Sequence, residues 1–366
     1  MRLVSLTLYQ YRNFNGQEIH FCPGTNLLFG KNGQGKTNLL EAIYLLAYGR
    51  SFRTPAAKEC IQHGASEAKV EGSVEHRSLV RDLGIFLPRT DEKQLLMFGK
   101  PAGLSEFIGN FHALAFTQEH LKVVRGGPME RRAFVDRALV MLKPGYMQRI
   151  ASYNRALKQR NRILGAALGS GARPDHGLLE AWEEKLAQEG SCVLWNRIQY
   201  VDRMKNELTN PMSSRESLEI RYESTASKNQ NDTGGIEQEF REMLRAARNV
   251  DEKRGFTTIG PHRDDLKIIL DGKPLADFGS AGQQRSSLLA LYFAQMEIHL
   301  KSRGFYPAFL MDDVEAELDN ERLLAFLEHL SRRTQTFLTT AKEQVLPALP
   351  EGACRFHVQQ GMVSPA

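Results

Sequence analysis

The hydrophobic pattern predicts strands near both ends of the chain and a long helical stretch between them. Leu3 to Tyr9 nearly alternates apolar and polar residues, and Asn26 to Phe29 is a short apolar run, so both predict strands. Leu39 to Leu46 is mostly apolar over two helical turns and predicts a buried helix. Short strands with turns are expected over residues 68–116, and helices from there to about residue 250.

Strand character returns in the last third of the chain. The expected elements are strands at 266–270, 308–311 and 335–339, a helix at 282–300 and a hairpin at 355–363. Polar residues at 165–177 and 224–235 predict a link between helices and a loop. The simplest interpretation is one α/β head built from both chain ends, with a mainly helical insertion. The expected parts are residues 1–120 and 255–366 for the head and 121–254 for the helical lobe.

A phosphate-binding motif follows the second of these strands. Gly30 to Thr37 reads GKNGQGKT, which has the spacing Gly-x4-Gly-Lys-Thr between a predicted strand and a predicted helix. Glycines let backbone N–H groups wrap phosphates, and the helix N-terminus adds its positive end. Lys36 is expected to reach the β- and γ-phosphates of ATP, and Thr37 to bind Mg²⁺. The residues predicted to contact the nucleotide are Gly30, Lys31, Asn32, Gly33, Gln34, Gly35, Lys36 and Thr37.

Two adjacent acidic residues close the apolar strand that ends at Met311. Asp312 is expected to hold Mg²⁺ through the water shell of the ion, and Asp313 to orient or deprotonate the attacking water. A cation would offset the repulsion between two neighbouring carboxylates. With Lys36, these aspartates form the predicted catalytic set; a helix cap or ordinary loop aspartates are the structural alternative.

A third motif, GSAGQQR at residues 279–285, precedes a predicted helix and resembles the LSGGQ signature of ABC-type ATPases. Ser280, Gly282 and Gln283 are therefore predicted to contact nucleotide, at a helix N-terminus that favours anions. A signature of this kind acts on nucleotide bound to another subunit, which implies an ATP-dependent homodimer. A simple polar helix cap is the alternative.

Taken together, these motifs resemble those of the RecF family of SMC-like ATPases. The further segments that carry the resemblance are YRNF at 11–14, NLLEAIYLLAYGRSFRT at 38–54, GPMERRAFVD at 127–136, GPHRDDL at 260–266 and DDVEAELD at 312–319. The resemblance implies an ABC/SMC-type head with a helical lobe in place of a long coiled coil. It also implies ATP-dependent dimerisation on DNA, and cooperation with RecO and RecR in directing RecA to gapped or damaged DNA.

Two positions depart from the ABC pattern, and a third departs from the RecF pattern. Asp313 stands where ABC transporters carry Glu, and its shorter side chain predicts slow hydrolysis. Thr340 occupies the place of the switch histidine; it can hydrogen-bond a γ-phosphate but cannot act as an imidazole base. Gln118 corresponds to the ABC Q-loop glutamine and is a candidate Mg²⁺ or water contact, although RecF sequences often carry Pro there.

Positive charge is concentrated in one part of the chain. The net charge is +5, yet residues 121–165 hold eleven Lys and Arg against two acidic residues. A helix expected at 147–164 would place its apolar residues on one face and its basic ones on the other. That basic face, and separately Arg53, are candidates for binding double-stranded or gapped DNA through its phosphates. The candidate residues are Arg155, Lys158, Arg162 and Arg53. For the first three, the alternative is a solvated helix face without a partner. For Arg53, the alternative is a contact with a phosphate of the nucleotide.

Other basic residues leave two interpretations open. Arg131 and Arg132 fit DNA binding or support of the core equally well. His262 and Arg263 fit either a simple turn or a place near nucleotide or DNA.

Composition narrows the class of protein. Four cysteines lie far apart without a CxxC pair, which suggests neither a disulfide framework nor a zinc site. No uncharged apolar run reaches the roughly 18 residues of a membrane span, so a cytoplasmic location without a membrane partner is expected. An ABC transporter subunit and an SMC-like ATPase that drives a nuclease remain the rival interpretations.

Overall fold

A computed structural model describes residues 1–208, 216–226, 232–314, 330, 333–342 and 349–366. Contacts divide the described residues into two compact units. The head unit contains residues 1–122 and 280–366, and the helical unit contains residues 123–208 and 216–279. Residues 255–279 were expected in the head, but they lie in the helical unit because the strand that begins at Asp265 pairs with the strand at Leu218–Glu223.

The head unit consists mainly of strands. They are β1 (Arg2–Tyr9), β2 (Gln17–His20), β3 (Thr25–Phe29), β4 (Glu67–His76), β5 (Leu79–Pro88), β6 (Gln94–Met97), β7 (Lys100–Ala102), β8 (Ala113–Phe116), β12 (Ala308–Met311), β13 (Thr336–Thr340), β14 (Cys354–Gln359) and β15 (Met362–Pro365). The helices are α1 (Lys36–Tyr48), α2 (Leu104–Phe107) and α9 (Ala281–Arg303), with short 3₁₀ turns at Ala57–Cys60 and Gln118–Leu121.

The helical unit carries the remaining elements. Its helices are α4 (Pro128–Leu142), α5 (Tyr146–Ser170), α6 (His176–Glu207), α7 (Thr233–Arg254) and α8 (Leu275–Phe278). The short α3 (Lys122–Arg125) spans the division between the units. Strands β9 (Leu218–Glu223), β10 (Asp265–Leu270) and β11 (Lys273–Pro274) form a small antiparallel sheet.

A mixed sheet positions the candidate site. Its strand order is β15-β14-β3-β13-β12-β8, and all neighbours are parallel except the β14–β15 hairpin. Strands β8 and β12 are buried along their whole length, as expected of parallel strands covered on both faces. Because parallel strands end at the same edge, the residues that follow β3, β8, β12 and β13 meet there.

A second, antiparallel sheet in the head has the order β2-β1-β4-β5-β6-β7. In β4, buried and half-buried residues alternate from Glu67 to Val74, which is the pattern of a sheet with one face on the core. The strands expected over residues 68–116 are thereby confirmed.

Helix α5 confirms the helix expected at 147–164 and extends it. Tyr153 and Leu164 are buried, whereas Arg155, Lys158 and Arg162 are exposed, so the predicted division of faces holds. The link expected at 165–177 is shorter, because α5 continues to Ser170. Packing against α6 and α7 outweighs the weak helix propensity of the glycines in this stretch. Among the described residues, no helix is long and apolar enough to cross a membrane.

Candidate nucleotide-binding site

The P-loop connects β3 to α1 in a conformation that suits glycine. Gly30 and Gly35 have φ angles of 152° and 114°, which residues with a side chain rarely adopt. A Cβ on Gly30 would also lie 2.3 Å from the backbone oxygen of Val358 in β14. Helix α1 begins directly after the loop, so its first N–H groups lack intrahelical partners. Lys31, Asn32 and Gly33 form the exposed rim of the loop.

Lys36 is drawn into the loop that precedes it. The residue is 5% exposed, and Nζ donates hydrogen bonds to the backbone oxygens of Gly30 at 2.7 Å and Lys31 at 3.0 Å. A buried ammonium that is satisfied by neutral carbonyls alone would gain from an anionic acceptor. The loop and its lysine therefore fit a phosphate group.

Asp312 lies at the carboxyl end of β12 and faces the start of α1. The hydroxyl of Thr37 is 2.9 and 3.0 Å from its two carboxylate oxygens. A hydroxyl next to a carboxylate, beside a phosphate cradle, is the donor set that Mg²⁺ uses with nucleotides. The two residues that were predicted to bind Mg²⁺ are therefore neighbours in the fold, and metal binding itself stays a prediction.

Thr339, which was not predicted as a site residue, joins the two aspartates. Its hydroxyl donates to Asp312 Oδ1 at 2.6 Å and accepts the backbone N–H of Asp313 at 2.8 Å. Asp313 has a φ of 48°, an uncommon conformation for a residue with a side chain. A polar residue near the end of a buried strand was the available signal in the sequence, but the pairing of β13 with β12 was needed to interpret it.

The neighbouring Thr340 is fully buried, and both its hydroxyl and its backbone oxygen accept hydrogen bonds. Its hydroxyl accepts from the N–H of Lys342 at 3.0 Å, and its backbone oxygen accepts from Gly30 at 3.3 Å. Gln118 is exposed at the start of the 3₁₀ turn after β8, beside the end of β12. Contacts of Thr340 or Gln118 with nucleotide remain predictions.

The signature motif begins α9 with a capping box. Ser280 Oγ accepts from the N–H of Gln283 at 3.2 Å, and Gln283 Oε1 accepts from the N–H of Ser280 at 2.8 Å. Ser280 is exposed, and Gly282 lies in the first turn of the helix. An exposed helix N-terminus with a capping box is compatible with contact to an anion from outside the chain. Residues 315–319 of the acidic DDVEAELD segment lie outside the described residues.

A buried ion pair connects Glu41 of α1 to Arg12, which follows β1. Arg12 donates to both carboxylate oxygens of Glu41, at 2.9 and 2.7 Å, and this hydrogen bonding raises the pKa of Arg12. Glu41 is fully buried, so the charge of Arg12 compensates it. Arg53 is exposed and donates to Asn38 Oδ1 at 2.7 Å, which leaves both of its predicted roles open.

Comparison with known proteins identifies the family. A family model described as RecF/RecN/SMC N terminal domain matches residues 2–364. The DNA replication and repair protein RecF of Lactococcus lactis subsp. cremoris (strain MG1363) is 35% identical over 370 residues, which cover 99% of each chain. That of Enterococcus faecalis (strain ATCC 700802 / V583) is 36% identical and covers 99% of this chain and 98% of its own. The chain belongs to the RecF family.

Solved structures of the RecF family confirm the fold. The structure of the recombination mediator protein RecF-ATPrS in the RecFOR pathway matches with a TM-score of 0.91 at 31% identity, covering 100% of this chain and 98% of the other. The corresponding RecF-ATP structure matches with a TM-score of 0.90 at 30% identity, over 100% and 97%. An Smc head domain from Pyrococcus furiosus matches at 0.57 and 15% identity, over 100% and 95%, and shows likeness of fold alone. The predicted ABC/SMC-type α/β class is confirmed.

The basic segment of this RecF-family chain divides into surface and interior. Arg155, Lys158 and Arg162 are exposed on α5. Arg160 is fully buried, 2.9 Å from Glu183 and 2.7 Å from Asp251. The local charge excess is therefore smaller at the surface than the sequence suggests, because part of it compensates buried carboxylates.

Several residues of the GPMERRAFVD and GPHRDDL segments also stabilise the helical unit. Arg131 forms a bidentate pair with Asp265 at 2.6 and 3.0 Å, and Arg132 donates to the backbone oxygen of Asp264 at 2.6 Å. These contacts favour the supporting role for both arginines.

His262 is mostly buried, and burial lowers its pKa to about 4. Its Nδ1 accepts from the hydroxyl of Tyr153 at 2.6 Å, and its Nε2 donates to the backbone oxygen of Thr257 at 3.1 Å. Both contacts suit the neutral imidazole. Arg263 is exposed over the ring of Phe256, 5.0 Å from its centroid. The structure thus gives His262 a packing role and leaves Arg263 available at the surface of the helical unit.

Proposed function

We propose that this chain is an ATP-dependent DNA-binding protein of recombinational repair and replication restart, with weak DNA-dependent ATPase activity. The observation that carries the proposal is the meeting of Lys36, Thr37 and Asp312 at one edge of the mixed sheet. The relatives are named DNA replication and repair proteins, and similar solved chains are described as recombination mediators with ATP. These names agree with a site for ATP at this edge of the mixed sheet.

The proposed cofactors are ATP and Mg²⁺. The P-loop would hold the phosphates through its backbone, and Lys36 would exchange its carbonyl partners for phosphate oxygens. Thr37 and Asp312 would hold the metal, which supplies positive charge to the phosphates. Asp313 would orient the attacking water from a backbone that the N–H bond to Thr339 holds in place. Its side chain is one methylene shorter than Glu, so slow turnover is expected.

Ser280 supports a composite site made by two copies of the chain. It is exposed at the N-terminus of a 23-residue helix, and its capping bonds fix the local backbone. A second head would bring this terminus to the γ-phosphate of the first, so that ATP links the two heads. ATP would close the dimer, and slow hydrolysis would act as a timer that opens it.

Light scattering with ATP, with ADP and without nucleotide tests this dimer. We expect a dimer only in the sample that contains ATP. A monomer in all three samples would contradict the proposal. Ser280→Arg should keep ATP affinity and lose the dimer, because a bulky cation replaces the small cap at the interface. Normal dimerisation of Ser280→Arg would remove this motif from the interface.

The exposed face of α5 is the proposed DNA contact. Arg155, Lys158 and Arg162 follow each other at intervals of three and four residues, so they form one row along the helix. Few aromatic residues accompany them, which favours backbone contact with a duplex over stacking of single-stranded bases. Arg53 is a further candidate.

Replacing Arg155, Lys158 and Arg162 together with Ala should weaken binding of gapped duplex DNA and reduce the slope of log K against log salt by up to about 3. The measurement is fluorescence anisotropy at several salt concentrations. Unchanged affinity and slope would place the DNA on another surface.

The family supports a proposal for the wider role. On gapped or double-stranded DNA, the ATP-bound dimer would act with RecR- and RecO-type mediators and thereby help to load RecA. Its place of action would be the cytoplasm, where the bacterial chromosome lies. A titration of dimerisation against gapped, duplex and single-stranded DNA would show which structure the ATP-bound form prefers.

A further inference from the structure

The turn between β14 and β15 lies against the P-loop, although the sequence places them far apart. The N–H of Gly361 donates to the backbone oxygen of Gln34 at 3.1 Å. The N–H of Gln360 donates to Gln34 Oε1 at 2.7 Å, across 326 residues of sequence. Gln34 is thus held through both its backbone and its side chain.

Asn13 provides a third contact to the same residue. Its Nδ2 donates to the backbone oxygen of Gln34 at 2.8 Å, and its Oδ1 accepts from Asn38 Nδ2 at 2.8 Å. A Cβ on Gly35 would lie 2.6 Å from Asn13 Nδ2, and a Cβ on Gly361 would lie 2.0 Å from the Asn13 backbone oxygen. The side chain of Asn13 therefore fits closely between the P-loop and the hairpin turn, and both glycines are needed for the approach.

Planarity of the peptide bond gives these contacts a consequence for phosphate binding. The backbone oxygen of Gln34 and the N–H of Gly35 belong to one trans peptide, so they point in opposite directions. Asn13 and Gly361 both donate to this oxygen, so the N–H of Gly35 points away from them, and we infer that it points toward the inside of the loop. A P-loop binds phosphate through such inward N–H groups.

The hairpin itself is anchored on both sides. Strand β14 pairs with β3, and its Val358 passes so close to Gly30 that no side chain fits there. Strand β15 is held by Gln17 in β2, whose Oε1 accepts from the N–H of Val363 at 2.8 Å. The turn can therefore impose a position on the P-loop, because its own strands are fixed to two sheets.

We propose that Asn13 and the turn Gln360–Gly361 are positioning residues that preorganise the P-loop for the triphosphate. The inference rests on the proposed function, since it assumes that the P-loop binds ATP. It adds that nucleotide affinity depends on a hairpin more than 300 residues away in the sequence. A flexible glycine-rich loop loses conformational freedom on binding, and contacts made beforehand reduce that cost.

The test compares two glycine substitutions in the full chain. Gly361→Ala places a Cβ against Asn13 and should lower the affinity for ATP about tenfold, since it displaces the turn from Gln34. Gly352→Ala is the matched control, because φ is 80° there and 78° at Gly361, and no atom of the described residues lies within 4 Å of the added Cβ. Gly352→Ala should bind ATP as the wild type does.

A second variant removes the side-chain contact without adding charge. Asn13→Leu should weaken ATP and inorganic tripolyphosphate by the same factor of about five to ten, because the loss concerns phosphate contacts only. Asn110→Leu is the control: it removes a hydrogen bond from the side-chain amide of Asn110 to the backbone oxygen of Glu106, elsewhere in the head. It should change the affinity for neither ATP nor tripolyphosphate. Melting temperatures without nucleotide check that the variants fold, and Asn13→Leu decides alone if Gly361→Ala does not fold.

The outcomes separate the two proposals. Wild-type protein that binds no ATP would overturn the proposed function and this inference together. Wild-type binding with equal ATP affinity in Gly361→Ala and Gly352→Ala, or in Asn13→Leu and Asn110→Leu, would overturn the positioning role alone. Weaker ATP binding with unchanged tripolyphosphate binding would also overturn it.

Discussion

Replacement of Thr339 by Val isolates the link between the two aspartates. Valine has nearly the same shape as threonine, so packing in this fully buried position is retained. The change removes the donor to Asp312 Oδ1 at 2.6 Å and the acceptor for the N–H of Asp313 at 2.8 Å. Nothing else about the β12–β13 pair should change.

The expected loss follows from these two bonds. A neutral hydrogen bond contributes about 1 kcal/mol and a bond to a charged group about 1.5–3 kcal/mol. Asp312 and Asp313 are half-buried, so water can replace part of what is lost. We therefore expect the free energy of unfolding to fall by about 2 kcal/mol. ATP turnover should fall about 10- to 100-fold, as is typical when a residue that orients a metal-binding carboxylate is removed.

The assay combines urea unfolding of the full chain with steady-state ATP hydrolysis in the presence of DNA. Thr339→Ser is the control, since it keeps the hydroxyl and loses only a methyl group. Its turnover should remain within a few-fold of the wild type. Wild-type turnover in Thr339→Val would refute the reasoning, because Asp312 and Asp313 would then hold their positions without Thr339.

Two further predictions concern the nucleotide and the pH dependence of stability. Lys36→Met should abolish ATP-dependent dimerisation by weakening nucleotide binding, and calorimetry with unchanged ATP affinity would contradict the P-loop assignment. The folded-state pKa of His262 is lowered to about 4, so the unfolded chain takes up a proton near pH 6.5 that the folded chain binds only near pH 4. His262 alone should therefore lower the free energy of unfolding by up to about 3 kcal/mol between pH 6.5 and 4, and His262→Gln should remove this part of the loss in urea titrations.

Local patterns in the sequence were sufficient to predict the strands and helices that carry the residues of the candidate site. The P-loop lies between a strand and a helix, and both are visible from hydrophobic runs and a glycine pattern within about 25 residues. Asp312 follows a short apolar strand, and Ser280 caps a helix through a residue three positions away. Interactions of short range are encoded in short segments, which is why these predictions needed no knowledge of the fold.

Contacts between distant segments could only be learned from the tertiary structure. Arg160 belongs to the basic segment 121–165, and only its burial beside Glu183 and Asp251 shows that it is part of the core. Residues 255–279 joined the helical unit because β10 found its partner in β9. The sequence alone predicted which residues would bind phosphate and metal. The packing of strands against one another decided that Thr339 joins the aspartates and that Gln360 and Gly361 hold Gln34, because hydrogen bonds across hundreds of residues depend on strand order and register.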